Sequence, residues 1–207
     1  MSTLTVVRHG QARPFEKISG CLSETGEKQA RALGEYWSRA GVTFDEVWCG
    51  SLTRHRQTAA LAVGGEGKIA PEFNEYDAEG ILRGCPHPST FPDNRAFQKV
   101  FEIAMEKWIA GESAECEAFE DFHGRVLRGL RAIQGGESNR RVVLFTSGGP
   151  IGVLVQTALG APKRSFADVN WRVRNCSISE FVFSRDRISL DSFNTTPQLE
   201  RGIYTFR

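Results

Sequence analysis

No two cysteines in this chain are spaced for chemistry. Cys21, Cys49, Cys85, Cys116 and Cys176 are odd in number and far apart, and no C-x-x-C occurs. That pattern excludes a disulfide framework and a structural zinc site, and it points to a reducing, cytoplasmic compartment. No apolar run approaches the roughly 20 residues of a membrane helix, and no basic-then-apolar leader precedes the first strand-like run, so no membrane partner is expected. An excess of charge is missing as well. At a net charge of +1 the chain has no bulk attraction for nucleic acid or an anionic surface. There is no repeat and no low-complexity tract. The glycines Gly64, Gly65 and Gly67 lack the spacing and the Ser/Thr of a phosphate loop, and the first strand is not followed by G-x-G-x-x-G. No cofactor is expected, and no metal-ligand spacing is found.

What is present fits 207 residues folded as one domain, 1–207, with 40% hydrophobic residues for a core. Leu4-Thr5-Val6-Val7 is a short apolar strand ending in Arg8-His9-Gly10-Gln11. An irregular loop over 12–21 leads to a helix capped by Ser23, with Ala30, Leu33, Tyr36, Trp37 and Ala40 at helical spacing. A second strand ends at Cys49 and a helix runs from about Leu52 to Val63. A third short strand spans Lys68 to Ala70. From Phe73 to Asn94 the chain is irregular, with Glu75, Asp77 and Glu79 in quick succession, and reads as an active-site loop or lid. Helices are expected from Ala96 to Ala110, Cys116 to Ile133 and about Pro150 to Gly160, and a buried strand from Arg141 to Phe145. Ser177 to Phe183 and Ile188 to Phe193 read as a hairpin. The expected fold class is therefore α/β: a three-layer α/β/α sandwich with a mostly parallel central sheet, a C-terminal antiparallel hairpin and a small helical lid insertion at about 73–115.

Three strand-to-helix junctions share one edge of such a sheet: Arg8-His9-Gly10, Ser51-Leu52-Thr53-Arg54 and Thr146-Ser147-Gly148-Gly149. Helix N-termini there present unpaired N–H groups that favour anions. Arg8 and Arg54 add two guanidinium forks, so a phosphoryl group is the natural guest. A neutral His9 in that pocket can attack phosphorus to form a phosphohistidine, and the acidic loop can supply a general acid. The arginines would then do the work that a metal ion does elsewhere.

In combination these residues resemble the histidine phosphatase superfamily, also called the phosphoglycerate mutase-like family. The resemblance is carried by Arg8-His9-Gly10; by Leu22-Ser23, Gly26 and Gln29-Ala30; by Ser51, Arg54 and Gln57-Thr58-Ala59; by Asn74-Glu75; by Val143-Leu144-Phe145-Thr146 with Gly148-Gly149; and by Asn175-Cys176-Ser177 before the hairpin. It implies that His9 is the nucleophile and that Arg8 and Arg54 bind the phosphoryl oxygens. It implies that Glu75 is the general acid, with Asp77 and Glu79 as alternatives. Gln11, Ser147 and Gly148 complete the implied phosphate site. The family pattern has a second histidine where Ser147 stands. His55 occupies a position usually held by a small residue and is expected to be structural; His87 in the lid is a candidate substrate contact. The implied activity is a metal-independent phosphomonoester hydrolase acting on a small phosphorylated substrate. The alternative is a weak or inactive relative that binds a phosphorylated ligand.

Overall fold

The computed structural model describes residues 1–13, 20–88, 90–112 and 115–206. Strands β1 (Ser2–Arg8), β2 (Glu46–Cys49), β3 (Lys68–Ile69), β4 (Arg141–Thr146), β5 (Ile178–Phe183) and β6 (Ile188–Thr195) form one sheet in the order β3-β2-β4-β1-β5-β6. The β1–β4, β2–β4 and β2–β3 pairs are parallel, while β5 runs antiparallel to both β1 and β6. Helices α1 (Glu24–Arg39), α2 (Thr53–Val63), α3 (Ala78–Arg83), α4 (Asn94–Ala110), α5 (Phe119–Gln134), α6 (Gly148–Ala158) and α7 (Ser165–Asn170) complete the α/β architecture. The loop expected over 12–21 falls largely on residues 14–19, outside the described residues.

The central strands are apolar on both faces because both faces are covered. Val7, Cys49, Val143 and Phe145 pack with Leu33 and Trp37 of α1 and Ala59 of α2. Their neighbours Leu4, Val6, Trp48, Val142 and Leu144 face the opposite way, into the larger cluster with Met105, Trp108, Phe122, Ile151 and Phe166. The segment read as a lid contributes to this core, since Met105 and Trp108 of α4 are fully buried.

Two elements differ from expectation. Residues 73–94 contain the short helix α3, which Asp77 caps by accepting the Gly80 N–H at 2.9 Å. Helix α7 has six residues, too few for a 3.6-residue period to be recognised.

The N-terminus of α1 is fastened to the tip of β1. Ser23 caps the helix by accepting the Gly26 N–H at 3.1 Å. The turn of helix at Gly26 lies against the backbone after β1 so closely that a Cβ there would stand 2.1 Å from the Gln11 carbonyl oxygen. A Cβ on Gly10 would in turn stand 2.5 Å from the Gly26 carbonyl oxygen. Alanine at position 26 would gain about 1 kcal/mol of helix propensity. The clash is with rigid backbone, however, and overpacking costs about 1–3 kcal/mol or more. Gly26→Ala is therefore expected to lower stability in urea unfolding and to displace the β1 tip; a variant more stable than wild type would contradict this packing.

Candidate active site

Alternating parallel strands and helices bring the C-terminal ends of β1, β2 and β4 to one edge. His9 is the residue after β1, and its backbone is held from two sides. Its N–H donates to the Thr146 carbonyl at 2.8 Å, and its own carbonyl accepts the Asn175 side-chain amide at 3.0 Å. The next N–H, of Gly10, donates to Thr58 Oγ1 at 3.1 Å. The imidazole is 6% exposed. Its Nδ1 lies 2.6 Å from the Gly10 carbonyl oxygen, and Arg54 Nε donates to its Nε2 at 3.1 Å. A carbonyl accepts only and a guanidinium donates only, so one tautomer satisfies both contacts: the proton is on Nδ1 and the lone pair is on Nε2. Burial, then Arg54, Arg8 and His55, hold the ring well below the usual imidazole pKa, against the pull of the Gly10 carbonyl.

Arg54 occupies the first turn of α2 and is half-buried. Arg8, half-buried at the end of β1, donates from Nη1 to the Val173 carbonyl and, at 2.9 Å, to that of Phe206. Both guanidinium charges act on His9 and on Glu75.

The Glu75 carboxylate reaches the start of α6, where Oε1 accepts the Gly149 N–H at 3.0 Å. Burial raises its pKa, against the pull of Arg54, of the Gly149 N–H, of Arg8 and of its neighbour's N–H. Its backbone is fixed by Arg125, which lies outside the readable motifs, and by contacts of its neighbours. Arg125 of α5 donates to the carbonyl oxygens of Glu72 and Asn74 at 2.8 and 2.7 Å and to that of Glu75 at 3.3 Å. Asn74 accepts the Ser51 N–H at 2.8 Å. Tyr76 packs against Trp108, Phe122 and Phe166 at ring separations of 5.4–6.1 Å. The alternatives for the acid lie elsewhere: Asp77 caps α3 and pairs with Arg83 at 3.6 Å, and the Glu79 side chain is 92% exposed.

His55, expected to be structural, has its ring 5.6 Å from that of His9 and is fully buried. Its Nε2 lies 2.6 Å from Ser147 Oγ. The reason is tertiary: the first turn of α2 faces the β1 and β4 tips, a meeting that spacing along the chain does not reveal. Ser147 is also fully buried and precedes α6 without capping it through its side chain. Gly148 is packed so tightly that a Cβ would stand 2.7 Å from Asn170 Oδ1. Gln11 uses its side-chain oxygen to accept the Ser23 hydroxyl at 2.8 Å, which ties it to the α1 cap. His87 is exposed, stacks on Phe91 at 6.0 Å and does not line the cleft beside Arg8 and Glu75. Burial pushes the Cys49 thiol up to about 12 and raises that of Cys176 as well, so neither is a ready nucleophile.

A cleft of about 400 Å³ lies beside this edge, lined by Arg8, Glu75, Phe101, Trp171, Arg172 and Phe206 among others; His9 and Arg54 are not among its lining residues. Larger grooves of about 530 and 440 Å³ run along α1 and α2, away from His9. Among the described residues, no three His, Cys, Asp or Glu side chains converge as a metal site would require.

The comparisons with known proteins agree with this geometry. The chain is 29% identical over 188 residues to the probable phosphoglycerate mutase GpmB of Erwinia tasmaniensis, covering 86% of this chain and 84% of that one. In fold it resembles a phosphoserine phosphatase from Entamoeba histolytica solved with phosphoserine, with a TM-score of 0.71, 18% identity and coverage of 97% of this chain and 100% of that one. It likewise resembles the alpha-ribazole phosphatase of Shigella flexneri, with a TM-score of 0.69, 20% identity and coverage of 94% and 96%. Residues 4–196 match the histidine phosphatase superfamily (branch 1), and the chain belongs to that family.

Proposed function

We propose that this protein is a phosphomonoester hydrolase that works through a phosphohistidine on His9 and needs no metal. The observation that carries the reading is the tautomer of His9. Its Nε2 lone pair is held by Arg54 at the edge where two guanidiniums and a raised-pKa carboxyl meet. The activity named for its structural neighbours, on phosphoserine and α-ribazole phosphate, supports a small phosphorylated substrate.

The chemistry balances over two steps. Arg54 leaves Nε2 for the phosphoryl oxygens, and the freed lone pair attacks phosphorus in line. The bond to the leaving oxygen breaks, and Glu75 in its acid form gives that oxygen its proton. The product alcohol departs, leaving a phosphorylated imidazole whose positive charge is stabilised by the Nδ1–H bond to the Gly10 carbonyl. Water then attacks phosphorus and loses its proton to the Glu75 carboxylate. The P–N bond breaks and its electron pair returns to Nε2. Arg8 and Arg54 stabilise the negative charge on the transferring group in both steps.

The basic test is hydrolysis of p-nitrophenyl phosphate in excess EDTA. Wild type is expected to turn over and His9→Ala is not. Equal rates for the two leave phospholigand binding as the better reading, and loss of activity in EDTA overturns the metal-free mechanism.

The proton inventory also predicts a pH profile. Activity requires neutral His9 and protonated Glu75. It therefore rises on an acid limb below the usual imidazole pKa of about 6.5 and falls on a basic limb set above the usual carboxyl range. Glu75→Gln is expected to abolish the basic limb. It should lower kcat about a hundredfold or more on an alkyl phosphate, and less on an aryl phosphate, whose leaving oxygen needs less protonation. An unchanged limb would move the acid's role to another group.

Stability follows the same groups. His9 and His55 both resist protonation in the fold, by burial first and Arg54 next. The unfolded chain binds protons at about pH 6.5 where the native state does not, so stability is present above that pH and is lost as pH falls below it. Glu75, with its pKa raised, acts in the opposite sense in its own window. Urea midpoints should decline from about pH 7 to pH 5, and less steeply in His9→Ala; a flat wild-type curve would contradict the neutral, buried pair.

A further inference from the structure

The mechanism above uses Arg8, His9, Arg54 and Glu75 and leaves a second buried imidazole without a task. His55 and Ser147 are both fully buried, and each is in contact with something other than core hydrocarbon. The β1–β4 register pairs Arg8 with Thr146, so His9 and Ser147 follow side by side at the sheet edge. His55 closes the triangle, with its ring 5.6 Å from His9 and its Nε2 2.6 Å from Ser147 Oγ.

The direction of the His55–Ser147 bond can be read from the other ring nitrogen. His55 Nδ1 is buried with no hydrogen-bond partner among the described residues. It lies against Gly50, where a Cβ would stand 2.2 Å from it. A buried N–H without an acceptor is rare and costly, and an unpaired acceptor lone pair is the milder defect. The proton therefore belongs on Nε2, which donates to Ser147 Oγ. The serine oxygen is then occupied as an acceptor by His55, and its own proton is left to point elsewhere. Burial and the Arg54 charge keep a second proton off the ring.

We propose that His55 is a positioning residue that turns Ser147 into a fixed hydrogen-bond donor to the phosphoryl group held at His9. This rests on the phosphatase reading. Ser147 alone is a rotor whose hydroxyl can donate to any nearby acceptor. With His55 Nε2–H bonded to its oxygen, the serine proton is directed toward the anion, so the donor is oriented before the phosphoryl charge develops. A histidine and a serine, supplied by different elements, together perform the donation that neither achieves alone. His55 itself touches no substrate.

The first test does not depend on activity. Ring ¹⁵N NMR of the wild-type protein is expected to show His55 neutral and protonated on Nε2; a neutral ring protonated on Nδ1, or a charged ring, overturns the proposal. The second is a double-mutant cycle on p-nitrophenyl phosphate. Ser147→Ala is expected to lower kcat about a hundredfold with KM little changed, the size of effect seen for one transition-state donor. His55→Leu should lower kcat roughly tenfold to a hundredfold, as loss of an orienting partner does. Adding Ser147→Ala to His55→Leu should cost little more, and His55→Gln, which keeps an N–H near Nε2, should recover much of the rate. Additive losses, or a His55→Leu enzyme as fast as wild type, overturn the proposal. A wild type no faster than His9→Ala overturns the phosphatase reading instead. The same cycle is then read by calorimetry with vanadate, whose five-coordinate adduct mimics the transition state, where Ser147→Ala should weaken binding in the native background and not beside His55→Leu. Should His55→Leu fail to fold, the NMR tautomer decides the question.

Discussion

The site depends on one constraint: His9 must be neutral, with its proton on Nδ1 and its lone pair on Nε2. A carbonyl one residue away receives the proton side at 2.6 Å, and an arginine from another helix marks the lone-pair side at 3.1 Å. Neither contact alone would suffice. The Gly10 carbonyl stabilises a charged ring as readily as this neutral tautomer, and it is burial beside Arg54 and Arg8 that removes the extra proton. The same two cations that lower the His9 pKa are groups that attract a phosphoryl dianion.

The fold serves this constraint by gripping backbone rather than side chains. His9 is held at its N–H by β4 and at its carbonyl by Asn175, and Gly10 by Thr58 of α2. The close approach of Gly10 and Gly26 adds the start of α1 to the same junction. Glu75 is treated alike: its own backbone carbonyl and those just before it take Arg125, and the tyrosine after it is embedded in aromatic rings. Its carboxylate meanwhile extends to the start of α6, where the Gly149 N–H meets it. Glu75 and His9 thus stand on separate rigid supports, so their separation is set by the packing of α5 and α6 against the sheet.

The motifs made most of the architecture legible. The strand tips, the Ser23 cap and the hairpin are local features, encoded within a few residues of where they act. From its residues alone the acidic loop was legible as a set of three carboxylates, among which only the family resemblance preferred Glu75, because the loop spacing does not reveal that residues after Asp77 turn into a helix capped by that aspartate. Arg125 carried no signal, since an arginine on an amphipathic helix reads as solvated surface until the loop it anchors is folded over it. The surroundings of His55 were hidden for a related reason: its neighbours in the fold, His9 and Ser147, lie 46 and 92 residues away in sequence.

The sequence by itself determined the succession of the strands and of the five longer helices, the basic and imidazole groups at the strand tips, and the absence of paired cysteines. These follow from local periodicity, capping and residue chemistry. Only the tertiary structure decided which nitrogen of His9 is free, which carboxylate is buried beside the arginines, and that His55 meets Ser147. Protonation state and hydrogen-bond direction depend on burial and on partners from distant segments. Those exist only once β1, α2 and β4 are packed at one edge.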